Sequence, residues 1–185
     1  MRATKDLRAE HEGVQLMLRV LGVLARKAEN GELFDRDQVG KIIEFLRVFV
    51  DKCHHGKEED VLFPELEKAG IARHGGPVGV MLHEHESGRE FIRRMTESLG
   101  SGDDKGFAKA AKGYIDLLTA HIQKENDVLF VMADRVLSAE KQEEMFERFE
   151  RIEAERIGPG VHESFHKLMD DLAAQYLSAG QKSGA

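Results

Sequence analysis

The sequence predicts an all-α fold: an up-down-up-down four-helix bundle with a C-terminal helical extension. Three observations carry this expectation. Apolar residues recur at spacings of three and four through four long stretches. Turn-rich segments separate those stretches, at Asn30-Gly31, Gly70 to Pro77 and Gly100-Ser101-Gly102-Asp103. No segment reads as a strand, and the composition, 33% charged with only 6% aromatics, suits surface-laced helices.

The first helix is expected over residues 4–29, with Leu7, His11, Val14, Leu18, Leu21 and Ala25 on one stripe. Asp35 followed by Gln38 is a capping pair for a second helix reaching about residue 69. Its inward face is Ile43, Leu46, Val50, His54, Glu58 and Val61/Leu62, and Pro64 perturbs its last turns. The third helix, over 78–99, aligns Val78, Met81, His85, Ile92, Met95 and Leu99. The fourth, over 105–136, aligns Phe107, Tyr114, Leu118, His121, Glu125, Val128/Leu129 and Met132. Ser138 caps a fifth helix to about residue 156, Gly158-Pro159-Gly160 breaks the chain, and a last helix covers 161–177 before a frayed tail from Ser178. The expected division is a bundle at 1–136 and, at 137–185, an extension packing on the same domain.

A net charge of −7 argues against a nucleic-acid partner. No apolar run approaches the roughly 20 residues of a membrane span, so no membrane partner is expected. The N-terminus lacks the apolar core of a signal peptide, and the lone Cys53 excludes an internal disulfide. A cytoplasmic location is the expectation.

Function enters through a motif that occurs twice. His54-His55-Gly56-Lys57-Glu58-Glu59-Asp60-Val61-Leu62-Phe63 aligns without gaps on His121-Ile122-Gln123-Lys124-Glu125-Asn126-Asp127-Val128-Leu129-Phe130. A His and a Glu four residues apart share one helix face. Two such pairs in one helical chain point to a dinuclear metal centre. His11 and His85 sit mid-stripe on the other two helices. The metal set read from the stripes is therefore His11, His54, Glu58, His85, His121 and Glu125. His55 and Glu59 follow a more polar line, and Ile122 and Asn126 replace them in the second copy, so they are candidates for additional ligands or outer supports. His83 lies on another face. His162 and His166 form a further pair four apart, read as a solvated face or as additional ligands. Imidazole and carboxylate donors suit iron, manganese or zinc, and the absence of thiolate clusters argues against a bound iron–sulfur cluster.

The arrangement of His11, His54-x-x-x-Glu58, His85 and His121-x-x-x-Glu125 resembles the hemerythrin-like (HHE cation-binding) family, over roughly residues 4–136. Its bacterial branch without an oxygen-carrier role is the nearer likeness. Family-like stretches include Ala9-Glu10-His11, Cys53 to Pro64, Gly76 to Glu86 and His121 to Glu125. The resemblance implies two iron ions with an oxo or hydroxo bridge, both Glu side chains bridging, and a small diatomic or peroxide as the ligand that is bound, sensed or transformed. Oxygen-carrying members have a second His four residues after the third-helix His, where this chain has Arg89. They also place the fourth-helix carboxylate one residue later, where this chain has Asn126. One ligand is thus missing or supplied from elsewhere, with His83, His162 and His166 as the candidate suppliers. The alternative function is an iron or redox sensor, or an iron-handling protein, signalling through the C-terminal helices, which would cap one end or form a homodimer surface. Whether the chain turns over a substrate is left open by the sequence.

Overall fold

The computed structural model describes residues 2–158 and 160–177, and these form six helices. The helices are α1 (Arg2–Glu29), α2 (36–68), α3 (Pro77–Ser101), α4 (104–136), α5 (Ala139–Arg156) and α6 (Val161–Tyr176). The expected fraying from Ser178 onward lies outside the described residues, as does Pro159.

Local chemistry sets the boundaries. Asp35 accepts from the Gln38 amide at 3.0 Å and Ser138 from the Lys141 amide at 3.1 Å, as the sequence suggested. Asp103 caps α4 in the same way, at 2.9 Å from the Gly106 amide. Gly102 ends α3 at φ 76°, a left-handed conformation that costs glycine little.

Two helices are not uniformly wound. Helix α2 runs as α-helix over Arg36–Phe45, widens to π turns over Leu46–His55 and Glu58–Leu62, and returns to α over Phe63–Lys68. Helix α4 is α over Asp104–Lys124, π over Glu125–Leu129 and α over Phe130–Val136. π turns bond i to i+5 and concentrate at functional sites. Pro64 falls where Phe63 donates to the Glu58 carbonyl, so a missing N–H is accommodated. Val128 is 50% exposed, while Leu129 takes the core position.

Packing pairs α1 with α4, α3 with α4, α2 with α3 and α1 with α2. Two apolar cores result. One holds Val14, Leu18, Leu46, Phe49, Val50, Phe107, Tyr114 and Leu118. The other holds Leu7, Leu62, Phe63, Leu66, Met81, Leu129 and Phe130. On each long helix the inward His lies between members of the two cores, so a polar layer is clamped between apolar ones. The last helices join in: Phe149 of α5 packs in the second core, and Phe165, Met169 and Leu172 of α6 in the first. Among the described residues, no helix is long and apolar enough to cross a membrane.

The entry to α3 is tightly built. A Cβ on Gly79 would lie 2.2 Å from the Arg73 carbonyl oxygen, whereas one on Gly40 would meet nothing within 4 Å. Gly79→Ala should therefore cost about 1–3 kcal/mol by forcing backbone apart, while Gly40→Ala should stabilise by roughly 0.5–1 kcal/mol through helix propensity. Urea denaturation of the two variants checks the contrast, and equal effects would contradict this packing.

Candidate metal centre

Seven side chains converge in the polar layer. His11, His54, Glu58 and Glu125 form one four-donor group; His55, Glu58, His85 and His121 form another; in each, the donor atoms lie within 4.8 Å of one another. All are buried, at 0–3% exposure. Glu58 belongs to both groups. Its Oε1 is 3.8 Å from His54 Nε2 and its Oε2 is 3.4 Å from His85 Nε2. Glu125 spans them as well, with Oε2 3.2 Å from His11 Nε2 and Oε1 3.2 Å from His121 Nε2. Within each group the ring nitrogens also crowd, His11 Nε2 at 3.0 Å from His54 Nε2 and His85 Nε2 at 3.2 Å from His121 Nε2.

A second layer orients the rings from behind. Nδ1 of His54 faces Glu10 at 2.7 Å, His121 faces Glu84 at 2.9 Å, His85 faces Glu59 at 2.7 Å and His11 faces Asn126 Oδ1 at 3.0 Å. A carboxylate or amide oxygen there calls for a proton on Nδ1, which leaves a lone pair on Nε2 pointing inward. The backing carboxylates are anchored in turn. Lys57, 1% exposed, donates to Glu10 at 2.6 Å; Arg89 donates to Glu59 at 2.7 Å; Lys124 donates to Glu84. The pattern repeats: Glu10 precedes His11 and serves His54, just as Glu84 precedes His85 and serves His121.

Ionisation follows the geometry. Burial would raise the Glu10 carboxyl, but the hydrogen bond and charge of His54, with the Lys57 ammonium, hold it down at about 2. Burial likewise opposes the depression of Glu59, which His85 and Arg89 enforce. The hydrogen bond from His121 lowers Glu84. At the centre, burial works against protonating His121, yet the Glu125 carboxylate and its neighbours raise it to about 10. His55 is the exception: burial, then the positive charge of His85 and His121, pushes it well below its ordinary value. Burial also lifts the Cys53 thiol to about 12, an inert packing residue.

The donor set fits divalent cations. Neither oxygen of Glu58 or Glu125, and neither nitrogen of His55, has a hydrogen-bond partner. Leaving buried carboxylates in that state costs several kcal/mol per ion. Four inward lone pairs on imidazoles make the same demand. Cations between the two groups satisfy both, and nitrogen–oxygen donors of this kind suit iron, manganese or zinc.

The six residues read from the stripes, His11, His54, Glu58, His85, His121 and Glu125, are all brought together here. His55, a candidate for an additional or supporting role, stands among the inner donors, its ring stacked on His85 at 3.8 Å. Its line with Asp51 is real, at 3.7 Å, but that line faces α3 rather than water. The π winding of Leu46–His55 turns adjacent residues toward the same interior. Glu59 lies behind His85, 2.7 Å from its Nδ1. His83 is exposed, and His162 and His166 lie in an outer cleft, so none of the three joins the centre. Sequence reasoning missed Glu10, Glu84 and Lys57 as supports. The signals were present, in the repeated Glu-His dipeptide and in the Lys57/Lys124 match within the motif.

Comparison with known proteins agrees with the geometry. The family model described as the hemerythrin HHE cation binding domain matches residues 2–133. An uncharacterized protein of Mycobacterium tuberculosis is 26% identical over 184 residues, 96% of this chain and 70% of the relative. A probable iron-sulfur cluster repair protein of Haemophilus influenzae is 33% identical over 118 residues, 58% of this chain and 52% of the relative. The iron-sulfur cluster repair protein YtfE of Dickeya chrysanthemi is 31% identical over 125 residues, 60% of this chain and 57% of the relative. The chain thus spans only about half the length of these repair proteins. No solved structure matches it.

The raised His121 gives a pH test. A group whose folded pKa is about 10 against an ordinary 6.5 contributes stability fully below pH 6.5 and loses it as pH climbs toward 10. The metal-free protein should therefore melt lower at pH 10 than at pH 6.5, by roughly 5 °C or more. Zinc-loaded protein should show a smaller drop, because the cation replaces the proton. Calorimetric melting across that range decides; a flat metal-free profile would contradict it.

Proposed function

Because the chain belongs to the hemerythrin HHE cation-binding domain family, we propose that it holds a non-haem di-iron centre and uses it to bind or react with a small oxidant such as oxygen, nitric oxide or peroxide. The observation that carries this reading is the pair of four-donor groups sharing Glu58, with every oxygen of Glu58 and Glu125 free to take a cation. On this reading His11 and His54 hold one iron, His55, His85 and His121 hold the other, and Glu58 and Glu125 bridge. Manganese or zinc would fit the same donors.

Reduced iron in such a site supplies electrons or an open position for a small ligand. The chain supplies the surroundings. The outer Glu10, Glu84 and Glu59 fix the imidazole tautomers, and their Lys and Arg anchors keep those carboxylates ionised. Val14, Val50, Leu118 and Ile122 pack beside His11, His54, His55 and His121, giving the centre an apolar wall that excludes water. The inequality between the two donor groups supports a ligand position on the side of His11 and His54, which has the fewer imidazoles. The names of the repair-protein relatives, iron-sulfur cluster repair proteins, support a role in iron handling.

A second reading, an iron or redox sensor acting through the C-terminal helices, draws on one contact. The Lys57 ammonium touches both Glu10, which backs His54, and Glu153 of α5, at 3.3 Å. A change at His54 would thus be felt in the extension.

Elemental analysis of anaerobically purified protein should give about two irons per chain. Oxo-bridge charge-transfer bands should appear in the near ultraviolet on adding oxygen. Glu58→Ala with Glu125→Ala should abolish this binding with helicity retained; two metals surviving per chain would refute the ligand assignment. His55→Ala should weaken metal affinity by about 10–100-fold, whereas His83→Ala should leave it unchanged.

A further inference from the structure

We infer that the cleft where α1, α5 and α6 meet is a separate binding site for a divalent cation of the borderline class, such as Zn2+ or Fe2+, with His162, His166 and Glu153 as its donors. The cleft has a volume of about 540 Å3 and is distinct from the buried donor groups.

His162 and His166 are four residues apart on α6, the spacing that lets two imidazoles on one helix face share a metal. Their rings stand 4.5 Å apart, centre to centre, in a T-shaped pair. His162 Nδ1 lies 3.7 Å from Glu153 Oε1, which places a carboxylate beside the imidazole pair, and closing the three donors on one cation requires His166 to turn inward. His162 is held in place by stacking on Phe49 at 5.7 Å, while His166 is exposed and keeps the rotameric freedom to close on a cation.

The surroundings select for positive charge. Glu12, Glu150 and Asp170 line the cleft along with Asp6, Glu10 and Glu153. Against these carboxylates stand Arg19 on the lining and the Lys57 ammonium beneath, which is bonded to Asp6, Glu10 and Glu153. Anionic groups outnumber cationic ones, so the cleft attracts a cation and repels phosphate or carboxylate ligands. Gly13 keeps the floor open, because a Cβ there would sit 3.0 Å from the Met169 sulfur. Glu10 both lines this cleft and backs His54, which sets a cation in the cleft one side chain away from the inner donors.

The inference does not depend on the di-iron reading, and one titration separates them. Zinc is titrated by calorimetry into the as-purified protein, and bound zinc and iron are counted by elemental analysis after gel filtration. The H162A/H166A variant should bind one zinc fewer than the parent while its iron content stays the same. The conservative H166N variant should weaken that zinc by about tenfold or more, with an unchanged melting temperature. The E58A/E125A variant should lose the inner metals and retain the cleft zinc. Equal zinc uptake by the parent and H162A/H166A would overturn the inference, as would loss of the cleft zinc in E58A/E125A.

Discussion

Two carboxylates without hydrogen-bond partners, buried among five imidazoles, set the terms for the whole molecule. A core of Leu and Phe around such a layer is stable only if positive charge compensates Glu58 and Glu125. Without metal, protons on imidazoles do so, which is why His121 is raised despite burial. With metal, cations do it and the protons leave. The apolar cores on either side exclude water and so make the compensation obligatory, and the backing layer of Glu10, Glu84, Glu59 and Asn126 decides where each proton sits.

Two ranks of charge surround the space between the two donor groups. The inner rank is negative and neutral, Glu and His. The next is negative, backed by Lys57, Lys124 and Arg89. This alternation lets carboxylates stay ionised in a helical interior without a net charge accumulating there. The C-terminal helices belong to the scheme, since Glu153 of α5 is one of three carboxylates around the Lys57 ammonium.

The six stripe residues were legible because each interrupts an apolar line on an otherwise regular helix, and because the motif at His54 recurs at His121. The helical fold was legible for the same reason. His55 was not, because the stripe argument assumes an α-helical turn and α2 is wound as a π-helix at that point. Nothing in a single sequence announces a π turn. Glu10 and Glu84 were hidden differently. Each lies next to an inward His but serves a His on another helix, and that partnership exists only once the helices are packed. The outward placement of His83, and the gathering of His162 and His166 into a cleft rather than the bundle, also needed the packing.

From Cys53 to Glu58 six successive residues of α2 are buried, so at this level the helix has no solvent-facing line. Arg156 adds to the cover, its guanidinium lying against Gly56 and donating to the Lys52 carbonyl at 3.0 Å. The inner donors consequently have no standing channel to solvent along this helix. Diatomics can cross such a wall through brief side-chain motions, but a hydrated metal ion needs helices to part, a much rarer opening. The two traffics are thereby separated in time: small ligands exchange on the timescale of side-chain breathing, while a metal, once seated, leaves on the timescale of partial unfolding.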